Sequence, residues 1–149
     1  MNHIKNLSLL GIFMAFVVIA LGAWTRLVDA GLGCPDWPGC YGFVFWPNDE
    51  AEIALAESRF PLFPYDINKA IPEQVHRLFA ASLGLLAIIL VYLSFNKTSN
   101  KSIKRWSIFL LLLICCQGLF GYLTVSLKLL PIIVTIHLFG GFATLTLLY

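Results

Sequence analysis

The apolar positions of this chain gather into four long runs, Leu7–Trp24, Val75–Phe95, Trp106–Val125 and Ile132–Tyr149, separated by polar stretches. Each run holds about 18–21 residues, or about 27–31 Å as helix at ~1.5 Å per residue, enough to cross a hydrocarbon core of ~30 Å. Backbone in lipid must satisfy its own hydrogen bonds, so all four runs are expected to be helices. The pattern predicts an all-α integral membrane protein. A single four-helix bundle over 1–149 has spans at about 7–24, 75–95, 106–125 and 132–149. A shorter helix is expected over Asn48–Arg59, with Asn48 or Asp49 as its N-cap and acids in its first turn. Loop 25–72 far exceeds the ~4–6 residues of an ordinary connection, and Phe43, Phe45, Trp46, Phe60 and Phe63 suit a membrane interface. It is expected to lie over the bundle as an outer lid.

Composition sharpens the class. Hydrophobic residues make up 59% of the 149 and charged residues 12%, about half the ~25% of a soluble domain; mean hydropathy is +0.84. A water-soluble protein is excluded, and membrane lipid is the first partner. The net charge of +2 comes without a basic patch that would serve nucleic acid. All eight acids lie between Asp29 and Glu73, whereas Lys97, Lys101, Lys104 and Arg105 crowd one loop with no acid. By the positive-inside rule that loop and the N-terminus are cytoplasmic, and loop 25–72 is outside, in the periplasm. The first run exceeds the ~7–15 residues of a signal peptide's apolar region and three more spans follow, so it reads as a retained span. Without an Arg- and Ser-rich leader, a bacterial inner membrane is expected.

Two histidines stand out within the spans. His76 lies four residues past Pro72, which the sequence places in the first turn of the second span; His137 lies six past Pro131, which opens the fourth. Both helices run inward from the outer face, so the imidazoles are expected within ~3 Å of one depth. His76 shares a face with Ala80 and Gly84, and His137 with Gly141 and Thr144. Each therefore stands above a groove of small residues, as a flat macrocycle with an axial imidazole on each side of its iron requires. Similar small stripes, Gly11, Ala15 and Gly22 in the first span and Gln117, Gly121 and Thr124 in the third, also serve plain helix packing. The alternative for the histidines is a structural pair hydrogen-bonded between helices. Ionisable groups at such depth default to function, and two at matched depth favour the heme reading.

Glu73 precedes His76 by three residues, on the same side of the helix. It is a candidate proton acceptor or donor beside a cofactor, or else a first-turn acid favourable to the helix dipole. Arg77 and Arg26 are candidates for pairing with heme propionates. Cys34 and Cys40 lie in the oxidising compartment, where a structural disulfide is expected and a redox-active pair is the alternative. Zinc held by these cysteines and the histidines is disfavoured, because the cysteines are outside and the histidines within the membrane. Cys115 and Cys116 read as small hydrophobes.

Three motifs in order now identify a family. Gly22–Gly42 (GAWTRLVDAGLGCPDWPGCYG), Pro72–Arg77 (PEQVHR, a Glu-x-x-His-Arg motif) and Gln117–His137 (QGLFGYLTVSLKLLPIIVTIH) resemble the heme A synthase family in its proteobacterial form. The resemblance runs from about Gly11 to Tyr149. It implies an oxidoreductase that converts the ring methyl of heme O to a formyl, giving heme A for terminal oxidases. It implies His76 and His137 as axial heme-iron ligands, Glu73 as the catalytic carboxylate and Cys34–Cys40 as a loop disulfide. A heme O-producing farnesyltransferase and the assembly of a terminal oxidase are the implied partners. Family members usually have eight helices in two similar halves, and the resemblance covers the N-terminal half. A resident heme b is thus expected in a C-terminal half, or in a partner protomer if a half-length chain dimerises. A last span without a basic flank favours continuation over a half-length chain. The rivals to heme A synthesis are a bis-histidine b-type cytochrome that only passes electrons, and a thiol-oxidising membrane protein. The first needs no carboxylate at Glu73. The second usually carries Cys-x-x-Cys, where this chain has five residues between Cys34 and Cys40.

Overall fold

The computed structural model describes residues 2–149. It is all-helical, with α1 (Asn2–Leu27), α2 (Glu50–Arg59), α3 (Ile67–Lys97), α4 (Lys101–Ser126) and α5 (Pro131–Leu148). Helices α1, α3, α4 and α5 are long and apolar enough to cross a membrane, and the chain is a membrane protein. Most of these helices outrun their apolar cores by a turn or more, because a helical backbone continues into the polar interface once it has crossed the lipid.

Local chemistry sets the ends. Asp49 caps α2, its carboxylate accepting the Glu52 N–H (2.8 Å), while the Glu52 carboxylate accepts the Asn48 N–H (2.8 Å). Asn100 caps α4 by accepting from Ser102 N and Ile103 N, and Pro131 sits at the first position of α5. The start of α3 corrects one expectation. Asp66 caps that helix through the Asn68 N–H (2.9 Å), so α3 opens at Ile67 and Pro72 lies inside it. The side-chain cap, not the proline, fixes the start, and Glu73 falls beyond the first turn.

The spans form a ring. Helix α1 packs on α3 and α5, and α4 packs on α3 and α5; the backbones of the diagonal pairs α1/α4 and α3/α5 stay apart among the described residues. This is an up-down-up-down bundle. Its apolar core occupies the half away from loop 25–72, where Ala15, Leu83, Leu86, Leu90, Leu110 and Leu148 meet. Gly11 lets α1 approach there, since a Cβ would come within 2.9 Å of Leu148. A hydroxyl contact of 2.8 Å between Ser94 and Ser107 joins α3 to α4.

Loop 25–72 has a second core of its own. Cys34, Cys40, Tyr41, Ala56 and Ala70 are buried there, wrapped by Phe43, Trp46, Phe60, Phe63 and Tyr65. The Cys34–Cys40 disulfide forms, which by loop-closure entropy contributes ~2 kcal/mol. The Asp36 carboxylate accepts the N–H groups of Tyr41 (2.6 Å) and Gly42 (2.8 Å), both of which have left-handed backbone. The Tyr41 hydroxyl donates to the Pro64 carbonyl (3.1 Å) and the Tyr65 hydroxyl to Pro47 (2.6 Å). At Gly33 the loop backbone runs so close to α3 that a Cβ would collide with the Lys69 carbonyl.

Candidate functional site

Between the two cores lies the part of the bundle beneath loop 25–72, which belongs to neither. Two histidines lie there, each against a glycine of a neighbouring helix. His76 comes from α3 and His137 from α5, the diagonal helices; the His76 ring lies against α1 and the His137 ring against α4. A glycine backs each ring on a neighbouring helix: a Cβ at Gly22 of α1 would sit 3.0 Å from His76 Cε1, and one at Gly121 of α4 would sit 3.7 Å from His137 Cε1.

The hydrogen bonding of the two rings differs. His76 Nδ1 lies 3.1 Å from the Val18 carbonyl oxygen, which can only accept, so Nδ1 carries the proton and Nε2 keeps a free lone pair. His137 Nδ1 is buried without a hydrogen-bond partner. A buried polar atom of this kind calls for a missing partner. An imidazole oriented by a backbone carbonyl, with its other nitrogen free, is the usual arrangement of a metal-ligating histidine. The donor set fits axial ligation of a heme iron. It does not form a protein-only metal centre, because no cluster of three or more His, Cys, Asp and Glu side chains exists among the described residues.

Glu73 is one turn outward from His76 and 5% exposed. One carboxylate oxygen accepts the Cys34 N–H (2.9 Å) and the other accepts from Arg77 Nη2 (2.5 Å). As Glu73 lies past the first turn of α3, the helix dipole does not account for it. Both terminal nitrogens of Arg77 are engaged as well. Its Nη1 donates to the carbonyls of Asp36 (2.7 Å) and Gly39 (2.5 Å), and its Nη2 also reaches the Cys34 carbonyl (3.5 Å). Its guanidinium thus faces the disulfide loop, where it holds backbone. Arg26, in the last turn of α1, is exposed. Both cysteines are fully buried, so the disulfide is shielded from an incoming thiol and acts as a staple under the Glu73–Arg77 pair. Cys115 and Cys116 are free and exposed on the outside of the bundle.

Sequence reading missed three partners. Gln74 is 2% exposed and its side-chain amide donates to the Val44 carbonyl, tying α3 to the loop. Gly140, not only Gly141, is a close-approach position, because the Gln117 amide lies over it. Tyr41 is the buried centre of the loop. Only Gly140 carried a signal, as half of an adjacent glycine pair.

Comparison with known proteins agrees with this picture. The family model COX15-CtaA, cytochrome oxidase assembly protein, matches residues 5–149. A heme A synthase of Shewanella oneidensis is 47% identical over 132 residues, covering 89% of this chain and 39% of that protein. One from Pelagibacter ubique is 32% identical over 143 residues, covering 84% of this chain and 42% of that protein. The chain thus spans about two fifths of the length of these curated relatives. No solved structure matches the chain.

Proposed function

This chain belongs to the COX15-CtaA family of cytochrome oxidase assembly proteins, and on that premise we propose that it is the heme O-handling unit of a heme A synthase. The reaction is oxidation of the heme O ring methyl to a formyl, yielding heme A for a terminal oxidase. One observation carries the reading: two histidines on diagonal helices, one with its Nε2 freed by the Val18 carbonyl and one with a buried unpartnered Nδ1, meet in a part of the bundle that has no apolar core.

An iron porphyrin held there supplies the redox chemistry. His76 and His137 would hold the iron, and Gly22 and Gly121 leave room beside their rings. Glu73 acts one turn outward, at the ring periphery. Its two oxygens are fixed by Arg77 and the Cys34 N–H, which hold it in one orientation in a water-poor site. A fixed anion there stabilises positive charge developing at the reacting carbon far better than water would. The Glu73–Arg77 pair ties the loop over the site and keeps bulk water out.

The same reading places loop 25–72 on the periplasmic side of a bacterial inner membrane and the N-terminus in the cytoplasm. A farnesyltransferase making heme O lies upstream and an oxidase under assembly downstream. A resident heme b belongs in a second four-helix unit, of the same chain or of a second copy. The test is Glu73→Gln, produced in its native membrane, with the extracted hemes identified by chromatography. Heme retained with little or no heme A supports the enzyme; heme A formed at the parental rate overturns the role of Glu73 and favours a b-type cytochrome.

A further inference from the structure

With Arg77 engaged by Glu73 and three loop carbonyls, the outer end of the bundle needs another cation to receive the carboxylates of a heme. A cavity of about 280 Å³ lies there, between loop 25–72 and the α4–α5 turn. Leu32, Pro35, Phe63 and Val125 give it apolar walls, and Ser126 and Lys128 are its polar groups. Val125 is four residues beyond Gly121, the glycine that backs His137, so the cavity begins about 6 Å outward on the same face of α4. Lys128 has no carboxylate partner among the described residues; the two ion pairs there are Lys69–Asp29 and Arg77–Glu73. Its backbone is left-handed, as is that of Leu129 (φ +48° and +60°). Gly31 of the loop ties Leu129 to Arg26: a Cβ there would lie 3.2 Å from Leu129 and 3.7 Å from the Arg26 guanidinium. The free cation of the outer turn and the free cation ending α1 thus flank one loop segment.

We infer that the Lys128 cavity is a carboxylate subsite, binding one propionate of a heme whose iron sits between His76 and His137. This rests on the heme reading above. Ligands on the diagonal helices α3 and α5 leave the ring edges toward α1 and α4, the helices that carry Arg26 and lead into Lys128. The apolar walls and single ammonium suit a carboxylate on an apolar body and would suit a free inorganic anion poorly.

The test is binding of iron protoporphyrin IX and of its dimethyl ester to the purified chain in detergent, read by the low-spin absorption spectrum. The ester keeps the iron and ring and removes both charges. We expect the parental chain to prefer the free acid, Lys128→Gln to bind it roughly tenfold more weakly while binding the ester unchanged, and Lys128→Arg to restore the preference. Glutamine carries the same left-handed backbone cost as lysine, so the comparison isolates charge. Equal loss for acid and ester would make Lys128 merely structural and overturn the subsite, as would no loss for either. A cavity that held a lipid phosphate instead would leave acid and ester indistinguishable in the parental chain, and this also overturns it. If neither porphyrin gives a low-spin spectrum with the parental chain, the histidine reading itself fails and the subsite with it.

Discussion

Arg77 and Glu73 form an ion pair one helical turn apart, with side chains only 10% and 7% exposed, and the arginine joins the carboxylate to the carbonyls of Asp36 and Gly39. Truncating one member of such a pair leaves a buried charge without compensation. Arg77→Gln is expected to cost roughly 3–5 kcal/mol and to release residues 34–40 for proteolysis, read by thermal unfolding and limited digestion in detergent. Arg77→Lys keeps the charge but loses the planar fork that serves several acceptors at once, so it should fall between. A digestion pattern unchanged in both variants would show that the loop is held by its own core.

The glycines behind the histidines differ in clearance, 3.0 Å at Gly22 against 3.7 Å at Gly121 for an added Cβ. Gly22→Ala must push the His76 ring away from the Val18 carbonyl. It should shift the low-spin heme spectrum and weaken heme binding roughly tenfold or more. Gly121→Ala fits within ordinary van der Waals contact and should leave both nearly unchanged. The reverse order would contradict this packing.

His137 has no protein partner for its buried Nδ1, so its removal orphans nothing in the fold. His137→Ala should preserve the thermal midpoint within about 1 kcal/mol while abolishing the bis-histidine heme signal. Retention of an unaltered low-spin spectrum would end the ligand assignment.

Cys34 and Cys40 are buried and bonded beneath the Arg77 fork. Mass spectrometry without reductant should find their peptides linked. Serine at both positions should loosen the loop by ~2 kcal/mol yet leave iron ligation intact. Both thiols free throughout maturation would remove the staple.

Burial pushes the Tyr41 phenol up to about 12 from its ordinary 10, with the neighbouring Tyr65 phenol adding to the effect. In the folded loop Tyr41 thus keeps its proton where the unfolded chain loses it. Its contribution is complete below pH 10 and declines as pH rises from 10 toward about 12. Alkaline titration followed by phenolate absorbance and proteolysis should show the loop opening across that range, and Tyr41→Phe should blunt the pH dependence.

The bundle, the histidine pair and the place of Glu73 were legible because they are properties of period and composition: long apolar runs, small residues at i+4, and polar groups too costly to bury without reason. What the Glu73 and Arg77 side chains touch was not legible. Their partners are backbone groups of Cys34, Asp36 and Gly39, and a carbonyl has no letter in a sequence. Pro72 misled for a related reason, as proline marks helix starts on average while Asp66, whose capping bond depends on a local dihedral, set the start here. The close approach at Gly33 depended on a contact about 36 positions away in the chain. Local pattern does not carry such distances.

The ring arrangement, in which the backbones of α3 and α5 stay apart among the described residues and the two helices meet only through the side chains of the leucine core, has a mechanical consequence. A frame of four rods joined mainly along its sides can shear at the level where no core spans its diagonal. A ligand gripped by His76 on one rod and His137 on the opposite one is a diagonal brace, and it stiffens the frame at the level where the frame has no core of its own. On the reading proposed above, loading and release of a heme would be the same event as locking and unlocking the half of the bundle beneath loop 25–72, with the leucine core staying closed.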